Sequence, residues 1–433
     1  MPFLKDASSR LVLAGKLFAS TAAAQGAALI ATGFAAVRTT PKDFATFAAI
    51  RALAAVVSSV TAMATETRLP VVSEEDSGAL IRVATSTVVS TTMLAFLVGG
   101  VALLGQAKWA PVALLVGPSW FALTALSVVT AAVIRLNRPH LLARSRVTTG
   151  FSNAVLIVGF IYTPIAGYLV LTGAFIASTL LGAAVMLRGI PGWLDNARPA
   201  RRGDWHIARH EVGWQPLNNL AANLGTSLPA IMLPALGDNV VAGAWALLSR
   251  IMNAVVTVVS TTVAPLFNAG FARLVREGDP EEQARYHRRW FERLLLLVVP
   301  SVAGIIVGVH WFIPYLGHQW RVTSIVLVPA CLSFTVLMIW LPMSQTLVLI
   351  GRTRLEMAWT IGNLIVSAST LALIPWWGGK QALTAWAAAQ VLSVIVHVIL
   401  QRHAILASTT SPTSVDEVAP YDCDSAAALL DET

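Results

Sequence analysis

The sequence predicts an all-α integral membrane protein with about twelve transmembrane helices in two similar six-helix halves. The 433 residues are 56% apolar and only 12% charged, with a mean hydropathy of +0.70, whereas soluble globular proteins carry about 25% charged residues. Apolar runs of about 20 residues, long enough to cross a bilayer as helices, recur along the chain. Basic residues concentrate in the short segments between these runs, as in loops that orient membrane helices.

Twelve apolar segments are predicted to span the membrane. The first follows Lys5 and Arg10 and is too long for the apolar core of a signal peptide, so we expect it to be a span. The weakest break lies between spans five and six, where Tyr162-Thr163-Pro164 and Gly167 predict a turn. The approximate bounds are 11–37, 44–64, 83–104, 111–134, 147–164, 167–187, 212–235, 241–268, 290–312, 324–350, 357–375 and 383–401.

The basic residues also predict the orientation of the chain. Of the 30 Lys and Arg residues, 22 fall in the termini and in the loops on the same side of the membrane, and five fall on the other side. Cytoplasmic loops are enriched in Lys and Arg, so both termini are expected to be cytoplasmic. The net charge of +8 is thereby explained without a nucleic-acid partner.

Two local patterns predict where helices begin. Ser73 precedes three consecutive acids and is expected to be the N-cap of the third span's helix. Asp279 is likewise expected to be an N-cap, because it is followed by Pro280 and proline is favoured at the first helical position. This second helix would begin well before span nine and carry several arginines, which are expected to contact anionic lipid headgroups or a docking partner.

The chain is expected to fall into four regions. Residues 1–188 form an N-terminal lobe, 189–210 a basic cytoplasmic linker, 211–403 a C-terminal lobe and 404–433 an acidic disordered tail. A shift of 199 residues aligns Arg51 with Arg250 and much of the surrounding segments. Six spans per half make the repeat parallel, and such transporters bind substrate at the interface of the two halves.

Three cations are predicted to lie inside spans: Lys16, Arg51 and Arg250. All 22 acidic residues are placed in loops, in the tail or at span ends, so no mid-span carboxylate is expected to neutralise them. A charge at the bilayer centre costs at least about 2.5–3.5 kcal/mol and normally faces a wet cavity or a partner. The cations therefore indicate a cavity for an anionic substrate, and arginine can bind phosphate through two hydrogen bonds. The alternative is that each side chain extends to the membrane surface.

Span seven carries a polar stripe at helical spacing, formed by Gln215, Asn219 and Asn223. Amide side chains both donate and accept hydrogen bonds, so the stripe is a candidate cavity wall for sugar hydroxyls. The alternative is interhelical hydrogen bonding that serves packing only. Further candidates for the polar wall are Asn253, Gln345 and Gln25. His310 and His397 are potential proton sites, but a structural role is favoured for both.

No sequence motif predicts enzymatic chemistry. There is no nucleotide-binding loop of the Walker type, no metal-ligand cluster and no cofactor motif, and the loops on the outer side are too short for a catalytic domain. The chain is therefore not expected to be an enzyme.

Several segments resemble the polysaccharide-biosynthesis flippases of the multidrug/oligosaccharidyl-lipid/polysaccharide (MOP) exporter superfamily. The resemblance covers about residues 8–403. The segments are Arg38-Thr39-Thr40-Pro41-Lys42-Asp43-Phe44, Arg68-Leu69-Pro70 with Glu74-Glu75-Asp76 and Ala79-Leu80, Gly213-Trp214-Gln215-Pro216-Leu217-Asn218-Asn219-Leu220, Ser249-Arg250-Ile251 and Leu316-Gly317-His318-Gln319-Trp320.

The resemblance implies a Wzx-like flippase in the bacterial cytoplasmic (inner) membrane. Its substrate would be a lipid-linked oligosaccharide on a polyprenyl pyrophosphate, its surroundings the lipid bilayer, and its partners a polysaccharide polymerase or glycosyltransferases. Related lipid II flippases use cavity arginines on their first, second and eighth helices, where this chain has Lys16, Arg51 and Arg250. Three alternatives stay open: a cation-coupled multidrug antiporter, a membrane enzyme acting on lipid-linked glycans, and a non-transporting envelope scaffold.

Overall fold

The computed structural model describes residues 2–62, 68–69, 72–106, 110–136, 138–190 and 198–407. Within these ranges, the side chains of residues 2–14, 16–17, 74–75, 261–262 and 265 are outside the description. The described residues form α-helices, one short 3-10 turn and connecting turns, and contain no β-strand. They group into two units. Unit 1 contains residues 2–39 and 46–227, and unit 2 contains residues 40–45 and 228–407.

Unit 1 holds six long helices, one short helix and the first part of another. The short helix, α7, follows the part of the predicted linker that lies outside the described residues, 191–197. Helix α1 packs against α5, α5 against α6, and α4 against α3 and α6, while α7 packs against α3. The bounds are α1 Pro2–Arg38, α2 Pro41–Thr61, α3 Glu74–Leu104, α4 Ala110–Arg135, α5 Pro139–Phe160, α6 Gly167–Leu187, α7 Arg202–Val212 and α8 Gln215–Ala235.

Apart from residues 40–45 at the start of α2, unit 2 runs from within α8 to the end of α15. Helix α11 packs against α9, α10 and α15, and α15 packs in turn against α13. Its core contains Trp245, which stacks on Phe334 and meets Trp386 edge to face. The bounds are α9 Asn239–Glu277, α10 Pro280–Leu316, a 3-10 turn His318–Trp320, α11 Thr323–Met343, α12 Thr346–Leu349, α13 Thr353–Ala372, α14 Ile374–Trp377 and α15 Gly379–Ala407.

The all-helical prediction is confirmed, and each predicted span coincides with one helix or with a long helix followed by a four-residue helix. Ten of the described helical segments are long and apolar enough to cross a membrane. The other two predicted spans correspond to α5 and α8. Both are long enough, but α5 carries Arg144 and Arg146, and α8 carries the amide stripe. The predicted tail beyond residue 407 lies outside the described residues.

Both predicted N-caps are confirmed. The Ser73 hydroxyl accepts a hydrogen bond from the Asp76 backbone N–H at 3.2 Å, and α3 begins at the next residue. The Asp279 carboxylate accepts from the Glu282 backbone N–H at 3.0 Å, with Pro280 as the first residue of α10. Each cap satisfies a backbone donor that has no partner within its helix. Helix α10 is continuous from this cap through the predicted ninth span.

Helix α7 was not expected, because its segment has only a few apolar residues. Its Asp204, Ala208 and Val212 recur at four-residue spacing and are all buried. Ala208 and Val212 pack into a core cluster formed with α3 and α4. The Asp204 carboxylate accepts two hydrogen bonds from the Arg82 guanidinium, at 2.6 and 3.1 Å. Apolar packing and an ion pair with two hydrogen bonds therefore hold α7, which is part of the predicted linker, against α3.

Close packing of α1 against α5 depends on Gly150. A Cβ at this position would lie 2.6 Å from the Cα of Ala24. Gly150→Ala is therefore expected to destabilise unit 1 by about 1–3 kcal/mol through overpacking. Thermal unfolding of the detergent-solubilised protein measures this as a lower Tm. Gly159→Ala is the matched control on the same helix, because nothing lies within 4 Å of its added Cβ. Equal Tm values for both variants would contradict the packing account.

The Arg82–Asp204 pair predicts a pH dependence of stability. The hydrogen bond from Arg82 holds the pKa of Asp204 below its ordinary value. A carboxyl with a lowered folded-state pKa stabilises the fold above its unfolded pKa, near 3.9, and loses that contribution as pH falls through the folded value. Asp204→Asn should therefore lower Tm at pH 7, and the difference from the unsubstituted protein should shrink as the pH falls below about 4. A difference that is the same at pH 7 and pH 3 would exclude the ion pair as its cause.

Candidate functional site

Arg51 lies in the middle of α2 and is exposed in the described protein. Its guanidinium carbon lies 5.7 Å from the ring centroid of Phe175 on α6. Phe175 also meets Phe47 of α2 edge to face, at 6.3 Å. A cation–π contact is an electrostatic attraction between the guanidinium and the ring. The contact thus positions Arg51 beside α6.

Arg250 lies on α9 of unit 2 and is partly exposed. Asn253 and Thr257, three and seven residues further on, share its helix face and are also partly exposed. The Thr257 hydroxyl donates to the Asn253 backbone carbonyl at 2.7 Å. Met252 and Val256, which point away from this face, are buried, and so is Ala254, which lies one turn after Arg250. This division places the predicted polar group on the accessible face of the helix.

The two candidates on the first span both lie on α1. Gln25 is partly exposed, next to Ala24, which is buried where α5 approaches. Lys16 is part of the same helix, but its side chain lies outside the described residues. Its predicted role as a cavity cation stays a prediction.

The polar stripe of span seven forms one connected row on α8. Gln215 donates from its amide nitrogen to the Asn219 side-chain carbonyl at 3.3 Å, and Asn223 donates to the Asn219 backbone carbonyl at 2.9 Å. All three side chains are partly exposed. Helix α8 begins at Gln215 because Gly213, with a φ of +53°, turns the chain between α7 and α8. A left-handed φ of this kind favours glycine.

Gln345 lies at the break between α11 and α12 and is exposed. The break follows Pro342, which lies inside the last turn of α11. A proline removes a backbone donor and ends or bends the helix around it. Gln345 thus occupies a short non-helical step inside the predicted tenth span.

The structure reveals a buried carboxylate that sequence analysis had placed at a span end. Glu356 lies in the first turn of α13, is 6% exposed, and its Oε2 is 2.9 Å from Nε2 of the fully buried His397 on α15. Sequence analysis placed all acidic residues in loops, in the tail or at span ends. It therefore did not predict this buried acid–histidine pair. The predicted eleventh span began one residue after Glu356, and 41 residues separate the partners, so no local pattern joined them.

Comparisons with known proteins find matches among solved structures only. No protein-family model matches the chain. A search of the curated proteins likewise finds no match. The lipid II flippase MurJ in an inward closed conformation superimposes with a TM-score of 0.66 at 13% identity, covering 92% of this chain and 91% of that one. An inward-facing multidrug resistance MATE family transporter of the MOP superfamily gives 0.58 at 16% identity, covering 90% and 96%.

A third match is a MOP superfamily transporter from Pyrococcus furiosus, with a TM-score of 0.58 and 14% identity over 92% of this chain and 96% of that one. All three superpositions cover at least 90% of this chain. The chain has the MOP transporter fold. The superpositions establish this fold, but at identities of 13–16% the substrate has to be argued from the side chains. In the MOP fold of this chain, those side chains are the arginines of α2 and α9, the amide row of α8 and the buried pair of unit 2.

Proposed function

We propose that this protein is a membrane transporter that flips a lipid-linked oligosaccharide, or a related anionic glycolipid, across the bacterial cytoplasmic membrane. The observation that carries the proposal is that each unit has an arginine within a predicted membrane-spanning helix, Arg51 on α2 and Arg250 on α9. Such residues are costly in hydrocarbon and mark substrate pathways. The MOP transporter fold supports a transport function.

The chemistry of these side chains supports a pyrophosphate-bearing substrate. A guanidinium presents two parallel N–H donors that match a phosphate, and a polyprenyl pyrophosphate carries its negative charge where the lipid joins the sugar. The amide row Gln215–Asn219–Asn223 offers donors and acceptors suited to sugar hydroxyls. Lys16, Asn253, Gln345 and Gln25 are proposed as further contacts to the same headgroup.

We propose alternating access as the mechanism. The headgroup enters from the cytoplasmic leaflet while the lipid tail remains in the bilayer, and a change between inward- and outward-open states exposes the headgroup to the other side. Parallel repeats of this kind change access by movement of one repeat against the other. The glycosyltransferases that make such a lipid and the polymerase that consumes it are the proposed partners in cell-envelope polysaccharide synthesis.

A cation-coupled multidrug antiporter is the second candidate, and one observation favours it. The sequence argued against it through the absence of an intramembrane carboxylate, but Glu356 is buried next to His397. The two candidates differ in the charge of the substrate. Export of cationic dyes from cells that express the protein, unaffected by Arg51→Ala and Arg250→Ala, would favour the antiporter. A scaffold would neither flip lipid nor export dye.

Substitution of the intramembrane arginines tests the proposed function. Arg250→Ala and Arg51→Ala are each expected to slow flipping of a polyprenyl-pyrophosphate oligosaccharide in proteoliposomes by about tenfold or more, the loss of one charge-assisted hydrogen bond worth about 1.5–3 kcal/mol. Accessibility of the sugar to an external lectin over time measures the rate. Arg273→Ala is the control on α9, because Arg273 is exposed and paired with Glu277. Flipping rates equal to that of the unsubstituted protein in both the Arg250→Ala and the Arg51→Ala variants would refute the cationic site.

A further inference from the structure

Three helices of unit 2 meet at His397. Its ring on α15 is fully buried, with Glu356 of α13 at Nε2 and the indole N–H of Trp340 from α11 donating to Nδ1 at 2.7 Å. Trp359 of α13 stacks on the same ring, with centroids 3.9 Å apart and an interplanar angle of 12°. Each ring nitrogen of His397 therefore bonds to a different helix.

These contacts define the protonation state of the imidazole. An indole N–H can only donate, so Nδ1 must act as an acceptor and carries no proton. The single proton of the neutral ring is then on Nε2 and is donated to the Glu356 carboxyl. The arrangement corresponds to a neutral histidine held between a donor and an acceptor. With Glu356 ionised, the pair carries one negative charge, and Nδ1, which accepts from Trp340, is the ring nitrogen that has no proton.

A second hydrogen-bonded step leads from this pair toward the end of α15. Gln401, one turn beyond His397, donates its amide N–H to the Met343 carbonyl at 3.0 Å, so its side-chain oxygen accepts from Nε2 of His287 at 3.0 Å. Both side chains are buried, whereas the neighbouring Arg402 and His403 are exposed. These polar groups lie one turn along α15 from the buried pair, toward the exposed end of the helix.

The charged surroundings of the pair are simple. Near the pair, α10 contributes the titratable side chain of His287. On α15, the next titratable residues after His397 are Arg402 and His403. Helix α11 carries only Cys331 as a titratable side chain and α12 carries none. Arg354, the other charged residue of α13, is exposed. His397 is thus the basic group in hydrogen-bond contact with Glu356, and a proton bound here neutralises a buried carboxylate.

We propose that Glu356 and His397 form a proton-binding site that controls the contact between α11 and α15. A proton taken up from water at Nδ1 turns the pair into an imidazolium–carboxylate ion pair. Nδ1 then carries an N–H and can no longer accept from Trp340, so this hydrogen bond between α11 and α15 breaks, whereas the bond to Glu356 on α13 strengthens. Loss of the proton restores the Trp340 bond.

Breakage of the Trp340 hydrogen bond would affect the part of unit 2 that carries Gln345, a residue proposed to contact the substrate. Trp340 lies one turn before Met343, whose carbonyl anchors Gln401, and the helix break with Gln345 follows directly. Release of Trp340 therefore loosens the end of α11 next to an exposed amide. Resting on the proposed function, this makes the proton the coupling ion: its binding and release would alternate the state of unit 2 during lipid flipping.

The proton site itself can be tested without substrate. In protein labelled with ¹⁵N-histidine, the His397 signals are assigned by their loss in His397→Gln and their persistence in His403→Gln, its exposed neighbour on α15. These signals should show an Nδ1 acceptor and an Nε2–H that become two N–H groups as the pH is lowered. An Nδ1–H tautomer for His397, or a ring that stays neutral down to the acid limit of folding, would overturn the site.

Transport then tests the coupling. In proteoliposomes, an imposed proton gradient should accelerate flipping by the unsubstituted protein and by His403→Gln, and this acceleration should be lost in Glu356→Gln and His397→Gln. Acceleration that persists in both pair variants, or that follows a sodium gradient instead, would refute the coupling. If no variant flips the lipid while the ¹⁵N titration is as expected, the proposed function fails and the proton site stands.

Discussion

The absence of water from the bilayer interior is the constraint on which the rest of this structure depends. Backbone donors and acceptors must be satisfied within each segment, which makes every described span a helix. Polar side chains in those helices have to find partners in the protein or face a wet region. The apolar exterior follows from the same constraint, because large hydrophobic side chains such as Leu104, Leu296 and Trp311 are mostly exposed on the described chain and would face lipid.

The polar side chains of the described helices fall into two groups. Some are paired, as the partly exposed Arg82 is with the buried Asp204, and the buried Glu356 with the buried His397. Others remain accessible on helices that are otherwise packed, as do Arg51, Asn219 and Asn253. Buried pairs in a protein of this class fasten helices or exchange protons, whereas accessible polar groups within spans need a ligand or water to account for them. The proposed proton site belongs to the first group, the paired side chains, and the proposed substrate site belongs to the second, the accessible side chains.

Most of the fold could be predicted from the sequence because the bilayer imposes a simple length rule. Apolar runs located the helices, and short-range cap patterns such as Ser73 and Asp279 located their starts, since both effects act within a few residues. The polar row of α8 was equally local, because amides at four-residue spacing must share a helix face. What could not be predicted depends on long-range packing. Helix α7 has a buried face of three residues that includes Asp204, whose partner Arg82 is 122 residues away.

The proposed substrate site recognises a lipid by its pyrophosphate group. Native mass spectrometry of the purified protein can test this with two lipids of equal chain length, a polyprenyl pyrophosphate and the uncharged polyprenol, because the lipids differ only in the charged group. We expect preferential retention of the pyrophosphate, and loss of that preference in the Arg51→Ala, Arg250→Ala double variant. Equal retention of both lipids, or an undiminished preference in the double variant, would contradict it.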